Sequence, residues 1–123
     1  MKIAITGTSS GIGEELSNQL SKNHKVVNIT RDSLDLCDIN AVTKYNFIQV
    51  DMLINCAGTD QGGKISFVDQ DTNTISNILN TNLLSPILLS QKALKTVLSA
   101  ALIEAWALSS GLLQGYFSSL LCA

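Results

Sequence analysis

Cysteine, histidine and clustered positive charge are all scarce in this sequence, and each shortage removes a class of function. Cys37, Cys56 and Cys122 are odd in number and widely scattered. That pattern suits reduced, packed thiols and not a disulfide framework or a zinc site. The one histidine, His24, has no Cys, His or acidic neighbour close in sequence. It reads as a surface residue, and no metal site is expected. Eight Lys and Arg stand against ten Asp and Glu, for a net charge of -2. Nucleic acid and anionic membranes call for clustered cations, which leaves small molecules or other proteins as partners. The first apolar residues read directly as a strand, with no basic leader or cleavage site, so the expected location is cytoplasmic.

Charge also thins along the chain: Glu104 is the only charged side chain after Thr96. The uncharged run from Ala105 to Ala123 approaches the ~20 apolar residues of a membrane span. Four Ser, two Gly and a Gln interrupt it, and insertion is not expected. A greasy end of this kind is a packed or poorly folded segment, or one that drives association into a homo-oligomer or aggregate by leaving a sheet edge uncovered.

At 123 residues the chain is long enough for one domain with a real core and too short for two. Its organising stretch is Thr6-Gly7-Thr8-Ser9-Ser10-Gly11-Ile12-Gly13. An apolar strand, Met1 to Ile5, delivers the backbone to this turn, and a helix opens from it. Glycines there bring amide groups close to a ligand, and the helix N-terminus favours an anion such as a pyrophosphate. The bland alternative is a loop in which Ser9 or Ser10 caps a surface helix. In the helix from Gly11 to about Ser21, Ile12, Leu16 and Leu20 recur at every fourth position and are expected to face a sheet.

Lys25 to Ile29 is the second strand, rich in residues that favour extended backbone. Arg31 follows its end, where a doubly wound fold receives the adenosine ribose. An Arg there accommodates a 2'-phosphate, so NADP(H) is expected over NAD(H); the alternative is a solvated strand-end Arg. Leu34-Asp35-Leu36 reads as a compact third strand, although a parallel strand normally needs a longer crossover. Asp38 caps an amphipathic helix to about Asn46, with Ala41, Val42 and Tyr45 on one face. Met52 to Asn55 is the fourth strand, followed by Cys56-Ala57-Gly58. A polar, Gly-rich loop runs from Thr59 to Val68. Asp71 to Lys95 is a long helix with a stripe of Ile75, Ile78, Leu79, Leu83, Ile87, Leu88 and Leu94. Pro86 is expected to bend or split it near Leu84 and Ser85.

Several of these segments together resemble the short-chain dehydrogenase/reductase family. Thr-Gly-x-x-x-Gly-Ile-Gly is similar to its glycine segment, Asp35-Leu36 to its acidic-apolar pair beside adenine, and Asn55-Cys56-Ala57-Gly58 to its Asn-Asn-Ala-Gly strand end. Asn80-Thr81-Asn82-Leu83-Leu84-Ser85-Pro86 resembles the helix carrying its active-site Asn, with Asn82 at the matching position. The resemblance implies an α/β fold, a partial doubly wound (Rossmann-like) parallel sheet flanked by helices, over residues 1–96. It implies an oxidoreductase moving a hydride between NADP(H) and a carbonyl or alcohol. Gly7, Ser9, Ser10, Gly11, Ile12 and Gly13 would hold the pyrophosphate, and Asp35 and Leu36 the adenine. Asn55, Ala57 and Gly58 would line the nicotinamide side, with Asn55 holding the central strands together. Asn82 would keep a water that relays protons to the catalytic Lys; the alternative is a kink residue bonding to its own backbone.

The match ends at about Lys95. The family's Tyr-x-x-x-Lys, in which the Lys lowers the Tyr pKa for proton transfer, occurs nowhere in the sequence: neither Tyr45 nor Tyr116 has a Lys four residues on. Residues 97–123 then have two readings. In one, Ala101 to Leu108 is a ragged fifth strand, Ser109 or Ser110 takes the family's substrate-polarising Ser position, and the chain stops where the Tyr motif should begin. In the other, everything after Thr96 is unrelated sequence. A helical reading also exists, with Leu98, Leu102, Ala105 and Leu112 on one face. A nucleotide-binding or interaction module without catalysis is therefore the second functional expectation beside a truncated oxidoreductase.

Overall fold

The computed structural model describes residues 1–47, 49–60 and 65–108. Three parallel strands, β1 (Lys2–Thr6), β2 (Lys25–Ile29) and β3 (Met52–Asn55), form one sheet in the order β2-β1-β3. In register, Ala4 lies between Val27 and Leu53, and Ile5 between Asn28 and Ile54. Alternation along each strand sends Ala4, Val27, Ile29 and Leu53 to one face and Ile3, Ile5, Val26 and Asn28 to the other. Helices cover both faces, which makes this a Rossmann-like α/β fold.

On the second face lies α1 (Gly11–Leu20), tied to the sheet where the Ser17 hydroxyl donates to Asn28 Oδ1 over 2.7 Å. Its inward face is not the one the spacing predicts. Ile12 is 77% exposed, Leu16 and Leu20 are half-buried, and Gly13 and Ser17 are the buried positions. Small residues there let the helix sit close on β1, a contact that three large side chains would prevent. The turn that follows α1 differs too: His24 is half-buried, with Nδ1 shielded and without a hydrogen-bond partner.

The first face carries the main core. Ala4 and Ile29 pack with Leu34, Leu36, Val42, Val50, Leu89 and Ala93, and each fully buried aliphatic side chain of this size contributes about 1.5–3 kcal/mol. Val42 comes from α2 (Ile39–Lys44), whose start is fixed as expected: the Asp38 carboxylate accepts from the Asn40 and Ala41 amides at 2.9 and 3.1 Å. Leu34 and Leu36 are not in a strand. The short connection from Ile29 to Asp38 cannot return a parallel strand to the sheet. It instead forms turns that drop both leucines into the core, with Ser33 bonded to Thr30. The strand expected as the fourth is therefore β3.

Leu89 and Ala93 come from a long, continuous helical segment built from α3 (Thr72–Leu79), a π-helical turn (Asn80–Leu84) and α4 (Ser85–Leu108). The interruption is the one Pro86 demands. Proline has no N–H for the carbonyl of residue 82, and its ring crowds that carbonyl. The turn widens instead of breaking, and the Ser85 amide bonds to Asn80 O, five residues back. The expected stripe is displaced as a result: Leu79, Leu83, Ile87 and Leu94 are exposed, and Thr81, Ser85, Leu89 and Ala93 are buried. Residues 101–108 lie in α4, so the strand reading of that stretch is replaced by the helical one. Ser109, Ser110, Tyr116 and Cys122 lie outside the described residues. No helix among the described residues is long and apolar enough to cross a membrane.

The start of α3 gives a pH-dependent test. Asp71 Oδ1 accepts from the Thr74 amide at 2.7 Å, and this bond holds the carboxyl below the usual aspartate range. A depressed native pKa means that the unfolded chain binds the proton first. The contribution is then fully present above about pH 4 and fades as pH falls through the lower native value. Urea midpoints of an Asp71→Asn variant, which keeps a capping oxygen, are expected to change less than those of the parent between pH 5 and pH 3, these being round values about the ordinary aspartate pKa. Identical pH profiles would rule the cap out as a source of acid sensitivity.

Candidate functional site

At the carboxyl ends of the strands the chain encloses a crevice of about 390 Å³. Three connections form its walls: the glycine loop after β1, the 29–36 segment after β2 and residues 56–58 after β3. Open α/β sheets place ligands at such a position, where neighbouring connections diverge to opposite faces.

The glycine loop follows from the close approach of three backbones. Gly7 sits at φ +72°, and a Cβ there would come within 2.7 Å of Ala57 Cα. A Cβ on Gly13 would fall on the Gly7 carbonyl oxygen. Gly11 also has a positive φ, +61°, but in open space. The Gly7 amide is anchored to Ile29 O at 2.9 Å. Ser10 stands at the N-cap of α1 in extended conformation and makes no side-chain cap bond, so the capping alternative for Ser9 and Ser10 is not what forms. Both serines are exposed, and with Gly7 they line the crevice. The amides opening α1 lack intrahelical partners by geometry. With the positive end of the helix they form a donor set suited to a pyrophosphate, and the side-chain-free cradle suits its close approach.

Arg31 is exposed on the second wall, beside Thr30, Leu34, Asp35 and Leu36. The Asp35 carboxylate accepts from the Cys37 amide at 2.9 Å, closing a local turn and leaving its other oxygen for a ligand. Cys56, Ala57 and Gly58 make the third wall, with Thr81 of the π-helical turn behind them.

Thr6, which opens the glycine motif, has a structural role that the motif itself does not assign. Its hydroxyl is buried and accepts from both the Cys56 and Ala57 amides at 3.1 Å, tying the end of β3 to the end of β1. This corrects the expectation for Asn55, which is exposed and donates to Ser90 Oγ at 3.2 Å. A buried-strand threonine directly before the loop glycine was the available signal. Asn82 does not bond to its own helix. Its Oδ1 accepts from the Thr59 amide at 2.8 Å and its Nδ2 donates to Thr59 O at 2.7 Å, clamping the segment that follows Gly58. Gly11, Ile12, Gly13, Asn55 and Asn82 thus stand around the crevice, while Gly7, Ser9, Ser10, Arg31, Asp35, Leu36, Ala57 and Gly58 line it. Tyr45 is elsewhere, packed edge-to-face on Phe47 with centroids 5.2 Å apart beside the main core. Burial pushes its phenol pKa up, the wrong direction for a proton donor poised near neutrality.

Residues 27–103 match the profile of the family described as short chain dehydrogenase. No curated protein sequence matches the chain. Among solved structures, a dTDP-4-dehydrorhamnose reductase from Clostridium acetobutylicum is 28% identical with a TM-score of 0.62, the match covering 79% of this chain and 33% of that one. A short-chain dehydrogenase/reductase from Burkholderia vietnamiensis shares the fold at 18% identity and TM-score 0.62, over 77% of this chain and 58% of that one. An NADPH-bound carbonyl reductase from chicken fatty liver does so at 20% identity and TM-score 0.56, over 84% and 50%. The chain thus spans from a third to somewhat over half of the length of these solved chains.

Proposed function

Because the chain belongs to the short chain dehydrogenase family, we propose that its crevice binds NADP(H) for hydride exchange with a carbonyl or alcohol. The observation that carries this reading is the convergence of three motif segments on one crevice: the uncapped glycine loop, Arg31 and residues 56–58. The loop amides hold the pyrophosphate, Arg31 pairs with the 2'-phosphate, and Asp35 and Leu36 flank the adenine. Ala57 and Gly58 let the nicotinamide end lie close, while Asn82 fixes the backbone beside it. The bound cofactor supplies the hydride chemistry, and the chain supplies placement. The NADPH found in the chicken carbonyl reductase structure supports the phosphorylated cofactor.

A second reading, a nucleotide-binding module without turnover, is favoured for these 123 residues by one observation. The sequence has no Tyr-x-x-x-Lys, and Tyr45, with its raised pKa, is packed beside the core and away from the crevice. Fluorescence titration with NADPH and NADH, followed by assay on a panel of carbonyls, separates the readings. NADPH binding with hydride transfer supports the oxidoreductase, and binding without turnover supports the module; absence of binding would refute both.

Arg31→Ala is expected to weaken NADPH about five- to tenfold and NADH little, since one exposed charge-assisted contact to phosphate is lost. Equal weakening of the two cofactors would show that Arg31 does not read the 2'-phosphate.

A further inference from the structure

We propose that Asn80, which opens the π-helical turn, and Ser85, the residue that directly follows it, are positioning residues that set the adenine wall of the crevice. This rests on the cofactor reading above and adds to it a mechanism for fixing the wall in place.

The wall from Leu34 to Cys37 is not a strand, so no ladder of backbone hydrogen bonds fixes its height above the sheet. Its carbonyls still need partners where they are buried. Side chains of the π-helical turn provide them. The Ser85 hydroxyl, fully buried, donates to Leu36 O at 2.7 Å, and Asn80 Nδ2 donates to the next carbonyl, Cys37 O, at 3.1 Å. Between them along the helix, Thr81 Oγ1 lies 3.2 Å from Cys37 Sγ. Two consecutive carbonyls and the adjoining thiol of one wall are thus held from a single helical turn.

An ordinary α-helix does not offer this grip. Residues five apart in an α-helix point about 140° away from one another, from 3.6 residues per turn. The widened turn brings residues i and i+5 into line, as the bond from the Ser85 amide to Asn80 O shows. Both side chains then reach the same strip of backbone. Asn82, near the middle of the same turn, takes hold of Thr59 beside the opposite wall. The turn therefore has two separate grips: Asn80 and Ser85 on the adenine side, and Asn82 on the nicotinamide side.

Fragments of the cofactor test the assignment on the full chain. Binding of adenosine 2',5'-bisphosphate and of reduced nicotinamide mononucleotide is measured by ligand-observed titration for the parent, Ser85→Ala, Asn80→Ala and Asn82→Ala, with a thermal melt confirming that each is folded. Loss of one buried donor is expected to weaken the adenosine fragment about tenfold in Ser85→Ala, while the nicotinamide fragment stays within about twofold. Asn80→Ala, at a half-buried position, repeats the pattern more mildly and decides the matter if Ser85→Ala does not fold. Asn82→Ala shows the reverse preference. Equal loss of both fragments in the Ser85 and Asn80 variants, or no loss, overturns the assignment while leaving the cofactor reading intact. A parent chain that binds neither fragment overturns the cofactor reading and this inference with it.

Discussion

Gly13→Ala is expected to abolish measurable NADPH binding and to lower the melting temperature by more than any other single change in the glycine loop. The added methyl would fall on the Gly7 carbonyl oxygen and within 2.8 Å of the Gly7 carbonyl carbon. Both are backbone atoms, so no rotamer change relieves the contact. Either α1 lifts off β1 or the loop moves, and both separate the amides from the position a pyrophosphate would occupy. The cost is of the order of 3 kcal/mol or more, above the usual range for an added methylene in a tight core. Gly11→Ala is the internal control. Its methyl meets nothing within 4 Å, and the positive φ alone remains, a strain of about 1–2 kcal/mol. A Gly13→Ala chain that binds NADPH within about threefold of the parent, a difference under 1 kcal/mol, would show that the loop is not the pyrophosphate cradle.

Thr6→Val carries the second large effect, through hydrogen bonding alone. Valine keeps the shape of the side chain but removes the oxygen that accepts from the Cys56 and Ala57 amides. An amide left without a partner costs about 1–3 kcal/mol when buried, and for these half-buried amides the low end of that range applies. Together they are expected to lower the melting temperature by about 10 °C for a chain of this size. Thr6→Ser, which retains the hydroxyl, should recover most of that loss. Calorimetric scans of the three chains decide it: if Thr6→Ser falls as far as Thr6→Val, packing of the methyl group and not the hydroxyl tie holds β1 to β3.

Most of the sheet was readable from composition and spacing because each strand is a short apolar run closed by a recognisable turn. Asp38 announced α2 for the same kind of local reason, a side chain that satisfies amides only two and three residues away. The motif segments around the crevice were readable by resemblance, and the structure brings them together. The failures share a different cause. Ile12, Leu16 and Leu20 fit a helical period, but the buried face of α1 is decided by how near its backbone must come to β1, which selects Gly13 and Ser17. Leu34 to Leu36 has the composition of a strand and lacks the length of connection to become one. Thr6 and Asn82 act on backbone groups 50 and 23 residues distant, and no local pattern encodes such a partner.

The π-helical turn fixes chain length as well as residue type. One residue of register in an α-helix is about 100° of rotation. Deleting a single residue between Asn80 and Leu84 would remove the extra residue that the widened turn accommodates and turn everything beyond it. Leu89 and Ala93 would leave the core, and the outward row at Ile87 and Leu94 would rotate with them. Substitutions in this turn act on one wall of the crevice or the other. A change in its length acts on the whole face of α4, so insertions and deletions are the changes that this part of the chain tolerates least.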